Sequence, residues 1–251
     1  MLAGGFMIER QVEVLTADGR MNTFVCHPER GGPHPVLIFL MDAPGIREEL
    51  RDMARRLATV GYYVLLPNLY YRSGVEELGN YIGPEGKAAR EQLFKLMDTL
   101  TIPSVMQDVD ALVAFSDEDP AASNGPIGCL GYCMSGQYAI SAAARYPGRI
   151  AAAASIYGVK LVTEAPNSPH LTASRARAEL YVAWAEKDHY APVEMLEPFE
   201  AAMREGCVKA EVELYRCIDH GFAFPQRPAY DKAAAERHWE RLFNLFDRTL
   251  R

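Results

Sequence analysis

Several things are scarce in this chain. Its 251 residues hold five cysteines, an odd number, and none lies in the paired Cys-x-x-Cys spacing of a zinc site or a redox motif. A chain this long does not need disulfide stapling, so reduced thiols and a cytoplasmic setting are the expectation. Basic residues are in deficit: 26 Lys and Arg against 33 Asp and Glu give a net charge of −7, which repels a phosphate backbone and gains nothing from an anionic lipid surface. Nucleic-acid and membrane roles are therefore not expected. No apolar run is long enough to cross a bilayer, and Met1 to Leu15 alternates short apolar and charged residues instead of forming the continuous stretch of a signal peptide. What is present, 49% hydrophobic and 24% charged residues, is the composition of an ordinary globular protein. A single domain spanning 1–251 is the expectation, as α/β folds often reach this size around one core.

The order of elements predicts an α/β architecture. Val12 and Val14, the turn residues Ala17-Asp18-Gly19, and Thr23-Phe24-Val25 read as an antiparallel hairpin. Val36 to Leu40 is apolar at every position, as in a strand covered on both faces, and Leu50, Met53, Ala54, Leu57 and Val60 follow at helical spacing before the strand Tyr63 to Leu66. Residues 67–103 carry one helical stretch, Ala88 to Leu100, and no strand, and a connection of that length predicts a pocket wall. Beyond it, strands at Ile127 to Leu130, Ile150 to Ile156, Leu180 to Trp184 and around Val212 and Leu214 alternate with helices, the last bearing Trp239, Leu242, Phe243, Phe246 and Leu250 on one face. The expectation is a mostly parallel sheet with helices on both faces, opened by the antiparallel hairpin.

The chemistry is concentrated at Gly131-Tyr132-Cys133-Met134-Ser135-Gly136, where a buried strand meets a helix. A nucleophile at such a sharp turn needs small residues two positions before and after it, and Gly131 and Ser135 meet that need. A thiol at a helix N-terminus gains thiolate character, and the N–H of Met134 is placed to meet an oxyanion on the attacked carbonyl. From the motif alone, Cys133 reads equally as a nucleophile and as a buried thiol like Cys129. Two later residues favour the nucleophile, because hydrolases of this architecture run nucleophile, acid, histidine along the chain. Asp188 follows the strand Leu180 to Trp184, and His220 follows the Val212/Leu214 strand. Asp219 and Glu186 are rivals for the acid.

These residues resemble the dienelactone hydrolase family, α/β-hydrolases with a Cys-Asp-His triad. The resemblance runs from about Ile8 to the last helix and rests on Gly131 to Gly136, Asp188-His189-Tyr190 with Pro192, His220-Gly221-Phe222-Ala223, Gly61-Tyr62, Pro67-Asn68-Leu69-Tyr70 and Arg90-Glu91-Gln92. It implies hydrolysis of an enol-lactone bearing a carboxylate through an acyl-Cys133, with no metal and no organic cofactor. It further implies a second oxyanion donor at Ala43, a substrate-binding arginine at Arg90, and a pocket including Tyr157, Tyr190 and Phe224. Three departures stand out. Asp42 occupies the place of a glutamate that tunes the thiolate, and equally fits a turn residue. Phe224 stands where the family has a second arginine, with Arg227 nearby. Ser135 replaces a glycine. A thioesterase or general carboxylesterase with the same triad is the alternative, and a non-catalytic carboxylate-binding fold is a reading from another class. The expected partner is a small ester or lactone, anionic in the family case, and the expected assembly a monomer or homodimer.

Overall fold

A computed structural model of the chain describes residues 6–79 and 81–251. Their contacts divide it into two compact units, Met1–Gly125 and Pro126–Arg251.

In the first unit, β1 (Met7–Thr16) and β2 (Gly19–Pro28) form the antiparallel hairpin, with Thr16 opposite Gly19 and Ala17-Asp18 turning between them. The φ of Gly19, +140°, lies where only glycine is at ease, which fixes the turn. β3 (His34–Leu40) and β4 (Tyr63–Pro67) pair in parallel through α1 (Glu48–Thr59), and β2 joins the other side of β4 antiparallel. Val36 to Leu40 and Tyr63 to Leu66 are wholly buried, as their unbroken apolar runs require. α1 turns Leu50, Met53, Ala54 and Leu57 onto β2 and β4. The connection 67–103 carries α2 (Lys87–Thr99) and, among its described residues, no strand. α3 (Ile102–Glu118) begins at a capping box in which Thr101 accepts from Ser104 N–H and Ser104 bonds back to Thr101 N–H.

β5 (Ala122–Tyr132) leads into the second unit, where β6 (Ile150–Ile156), β7 (Glu179–Lys187) and β8 (Ala210–Asp219) follow it, each parallel to the one before. Between them lie α4 (Gly136–Arg145), the short α5 (Pro169–Thr172) and α6 (Leu196–Glu205), and the chain ends in α7 (Lys232–Leu250). α6, seated by Phe199 and Met203, is an element the sequence reading passed over. α7 packs on β6 and β7 through Ala235, His238, Trp239, Leu242 and Phe246. Because the four strands run in parallel, their C-terminal ends share one edge. The residues that follow them are Cys133, Tyr157, Asp188 and His220.

Candidate active site

Strand β5 stops at Tyr132, and Cys133 takes φ +51°, a left-handed conformation that costs a non-glycine residue about 1–3 kcal/mol unless its surroundings impose it. The surroundings do. A Cβ on Gly131 would lie 2.1 Å from the carbonyl oxygen of Ser135, so the chain doubles back on itself with no room for a side chain there. On the far side, the Cα of Gly158 would sit 2.4 Å from a Cβ at Gly136, so helix and strand-end loop meet backbone to backbone. Val159 N–H donates to the Cys133 carbonyl at 3.0 Å and ties the turn to the loop after β6. The result is a half-buried thiol on a rigid corner at the start of α4.

The other cysteines differ. Cys129, one turn of strand earlier, and Cys26 are fully buried, and loss of solvation pushes both thiols up to about 12. Cys207 and Cys217 are exposed. The buried-thiol description therefore fits Cys129 and not Cys133.

His220 Nδ1 donates to Asp188 Oδ2 at 2.6 Å, and Asp188 Oδ1 accepts the backbone N–H groups of Tyr190 (2.8 Å) and Ala191 (3.0 Å). Three hydrogen bonds hold a carboxylate that is itself fully buried. Trp184 Nε1 donates to Ala191 O at 2.8 Å and pins the loop from below. Of the rival acids, Glu186 accepts from Arg216 and from Cys217 N–H, and Asp219 is exposed at the end of β8. The pairing of β7 with β8 is irregular between Ala185 and Lys187: Ala185 stands opposite Tyr215 and Lys187 opposite Asp219, so the extra residues lie on β8, and beyond this break it is Asp188 that bonds His220.

Fixing the Nδ1 proton on Asp188 leaves Nε2 as the second functional nitrogen of the ring. That atom is buried and makes no well-aligned hydrogen bond, yet the Cys133 thiol is close enough to act on the ring. Burial by itself would lower the imidazole's affinity for a proton. The negative charge available at Cys133, then the hydrogen bond to Asp188, outweigh it and raise the pKa from 6.5 to about 9. Edge-on rings flank the imidazole, with Tyr157 at 4.8 Å and Tyr190 at 5.0 Å between centroids.

The expected pocket aromatics separate in the structure. Tyr190 is 60% exposed and presents its face to solvent, whereas Tyr157 is 1% exposed and Phe224 not at all. Phe224 lies beneath the Arg227 guanidinium, 4.4 Å from its ring centroid, and Tyr157 packs on Tyr132, Phe222 and Phe224. Tyr157 is packed edge-on against His220, and Phe224 lies on the other side of Tyr157. His238, which the sequence places on the C-terminal helix, is fully buried on α7 and bonded to Tyr132. The available signal was its place on the apolar stripe with Ala234, Leu242 and Leu245, where a histidine needs a partner.

The remaining expected residues lie in the first unit. Asp42 is fully buried and chelated by Arg47, at 2.6 Å and 3.3 Å, while Arg47 also bonds Glu49 at 2.8 Å. Burial opposes the charge on Arg47, but Asp42 more than restores it and raises its pKa. The backbone of Asp42 accepts from Gly45 N–H, the geometry of a turn residue, and Ala43 O accepts from Tyr70 at 2.7 Å. Arg90 Nη1 donates to Tyr81 O (2.8 Å) and Gly83 O (2.6 Å), and its Nε and Nη2 make no hydrogen bond among the described residues. Among the described residues no three His, Cys, Asp or Glu side chains gather as metal ligands, and no helix is long and apolar enough to cross a membrane.

Three comparisons bear on this geometry. The model of the dienelactone hydrolase family matches residues 21–250. A protein of Methylorubrum extorquens named "Putative carboxymethylenebutenolidase" is 29% identical over 245 residues, which is 96% of this chain and 81% of that one. A Bradyrhizobium protein named "Probable 2-oxo-3-(5-oxofuran-2-ylidene)propanoate lactonase" is 27% identical over 220 residues, 86% of this chain and 84% of its own. Among solved structures, "Putative Dienelactone Hydrolase" from Klebsiella pneumoniae superposes with a TM-score of 0.86 at 25% identity, covering 96% of this chain and 99% of that one. The match extends over nearly the whole chain and carries the α/β-hydrolase fold with it.

Proposed function

This chain belongs to the dienelactone hydrolase family and is a hydrolase of esters or lactones, and from that premise we propose that it opens a small, carboxylate-bearing enol-lactone through an acyl-enzyme on Cys133. The observation that supports the reading most directly is the half-buried thiol at φ +51° beside an imidazole that Asp188 holds at 2.6 Å. The thiolate of Cys133 adds to the lactone carbonyl, forming the C–S bond, and the carbonyl electrons move onto oxygen. The N–H of Met134, in the first turn after the nucleophile, stabilises that oxyanion. By resemblance, the N–H of Ala43 is assigned as a second donor and Asp42 as a residue that tunes the thiolate. Collapse breaks the ring C–O bond, and an enolate departs, needing little more than the proton His220 carries. The thioester is then cleaved by water, whose proton passes to His220 as the C–S bond breaks and the thiolate returns. Asp188 keeps the ring oriented throughout.

The relatives' names, which denote unsaturated lactones with an acid group, support this choice of substrate class. Arg90 supplies the matching cation in this chain. The thiol is expected to require a reducing, cytoplasmic setting, in a monomer or homodimer. Replacing Cys133 by Ala should abolish turnover of an activated ester while circular dichroism stays native. Intact-mass analysis of the wild type quenched during turnover should show the acyl group on the peptide containing Cys133. Full turnover by the Ala variant would sink the reading.

A further inference from the structure

We propose that His238 is a positioning residue for this hydrolase, one buried side chain on α7 that holds both the nucleophile turn and the histidine loop in register. The proposal rests on the cysteine reading above. His238 is 0% exposed. Its Nδ1 donates to Ala235 O within its own helix, so Nε2 is left as an acceptor and the Tyr132 hydroxyl donates a hydrogen bond to it at 2.9 Å. Tyr132 is equally buried and is the residue immediately before Cys133. The same imidazole stands edge-on to Phe222, with centroids 5.9 Å apart and planes at 89°, and Phe222 lies two residues after His220. His238 thus touches a neighbour of the nucleophile and a neighbour of the base.

The left-handed backbone at Cys133 persists only where its surroundings over-determine it. Tyr132 is the lever on that backbone. Its ring is wedged against Phe224 (5.3 Å) and Tyr157 (5.9 Å), but ring packing alone leaves sliding along the ring plane unopposed. The directional constraint is the hydroxyl bond to His238. Without the imidazole acceptor, the phenol loses the hydrogen bond that aims it within a dry interior, a loss that proteins relieve by shifting the group. A shift at Tyr132 is passed to Cys133 by one peptide unit. Since a misplacement of about 1 Å between reacting groups is enough to cost on the order of a hundredfold in rate, the expected effect is on the chemical step and not on substrate binding.

The test uses the full chain and three variants. His238→Phe keeps the ring and removes the acceptor. His238→Gln restores an acceptor near the position of Nε2. Tyr132→Phe removes the donor from the other end of the bond, and carries the test if His238→Phe does not fold. With p-nitrophenyl acetate as substrate, His238→Phe and Tyr132→Phe should each lose about tenfold to a hundredfold in kcat at nearly constant KM. His238→Gln should recover most of the loss, and the double variant Tyr132→Phe with His238→Phe should be no worse than either single one. Alkylation by iodoacetamide, read at the Cys133 peptide by mass spectrometry, should slow in the same order. A loss of activity that merely follows the folded fraction, with the Cys133 alkylation rate per folded molecule unchanged and no rescue by Gln, overturns the proposal. Cys133→Ala run alongside separates the two levels: if it is inactive and His238→Phe retains full activity, only the inference about His238 fails. If Cys133→Ala is active, the cysteine reading fails and takes the inference with it.

Discussion

At the scale of single residues, the imidazole of His220 is where the charges of the site meet. Its pKa, raised from 6.5 to about 9, means that the folded protein holds a proton there that the unfolded chain releases earlier. The stability this contributes is therefore complete below 6.5 and is lost as pH rises through about 9. Cys133 supplies the largest upward influence on that proton, so Cys133→Ala should lower the His220 pKa. Denaturant melts below 6.5 and above 9 should show the wild type losing more stability with rising pH than the Ala variant, and parallel pH curves for the two proteins would rule the coupling out. Asp188→Asn should act in the same direction on the titration, followed by NMR of labelled histidine. It should also reduce kcat by roughly 10²–10⁴, because an amide can present its N–H to Nδ1 and favour the wrong tautomer. The sequence favours Asp188 as the acid and leaves Glu186 and Asp219 as rivals. What separates them is the irregular pairing at the strand ends, where β8 advances from Tyr215 to Asp219 while β7 advances from Ala185 to Lys187, a break that no local apolar pattern records.

At the scale of elements, the four parallel strands of the second unit explain why residues far apart in sequence converge. Each strand ends at the same edge, and each ending supplies one group. Much of this was legible. Runs such as Val36 to Leu40, and the order Cys133, Asp188, His220 at successive strand ends, are properties of local composition and of chain direction, which a sequence records. The segments that escaped are those whose identity depends on what they pack against. α6 buries only Phe199 and Met203, too sparse a stripe to announce a helix, and the packing of Arg227 on Phe224 and of Tyr132 on Tyr157 joins residues that no local pattern links. The elements also differ in what their ends contribute. Thr101 caps α3 far along the chain from the strand-end loops, so Thr101→Ala should lower stability by about 1 kcal/mol in urea unfolding and leave kcat unchanged. A drop in kcat at full folding would contradict the view that this cap serves the helix alone.

At the scale of the whole molecule, the net charge bears on the substrate proposed above. A carboxylate-bearing lactone would approach a protein of net charge −7, and the repulsion would act over a distance that salt shortens to about 10 Å at 0.1 M. For such a substrate kcat/KM should rise with ionic strength, while for a neutral ester of the same skeleton it should stay flat. Arg90→Ala discriminates further. Because Nη1 of Arg90 also secures the carbonyls of Tyr81 and Gly83, a purely structural role would slow both substrates equally. Recognition of the carboxylate would slow the acid alone, by about tenfold or more for one lost charge-assisted contact, and an equal loss on both substrates would remove Arg90 from the binding site.

The backbone angle at Cys133 has a meaning for how this sequence is maintained over time. Glycine would occupy φ +51° with less strain than any side chain, so on grounds of folding alone the position drifts toward glycine. This chain has cysteine there, and the proposed reaction supplies the reason to keep it. A descendant that had lost its reaction should be recognisable by relaxation at this single codon before any change in the strands that carry it.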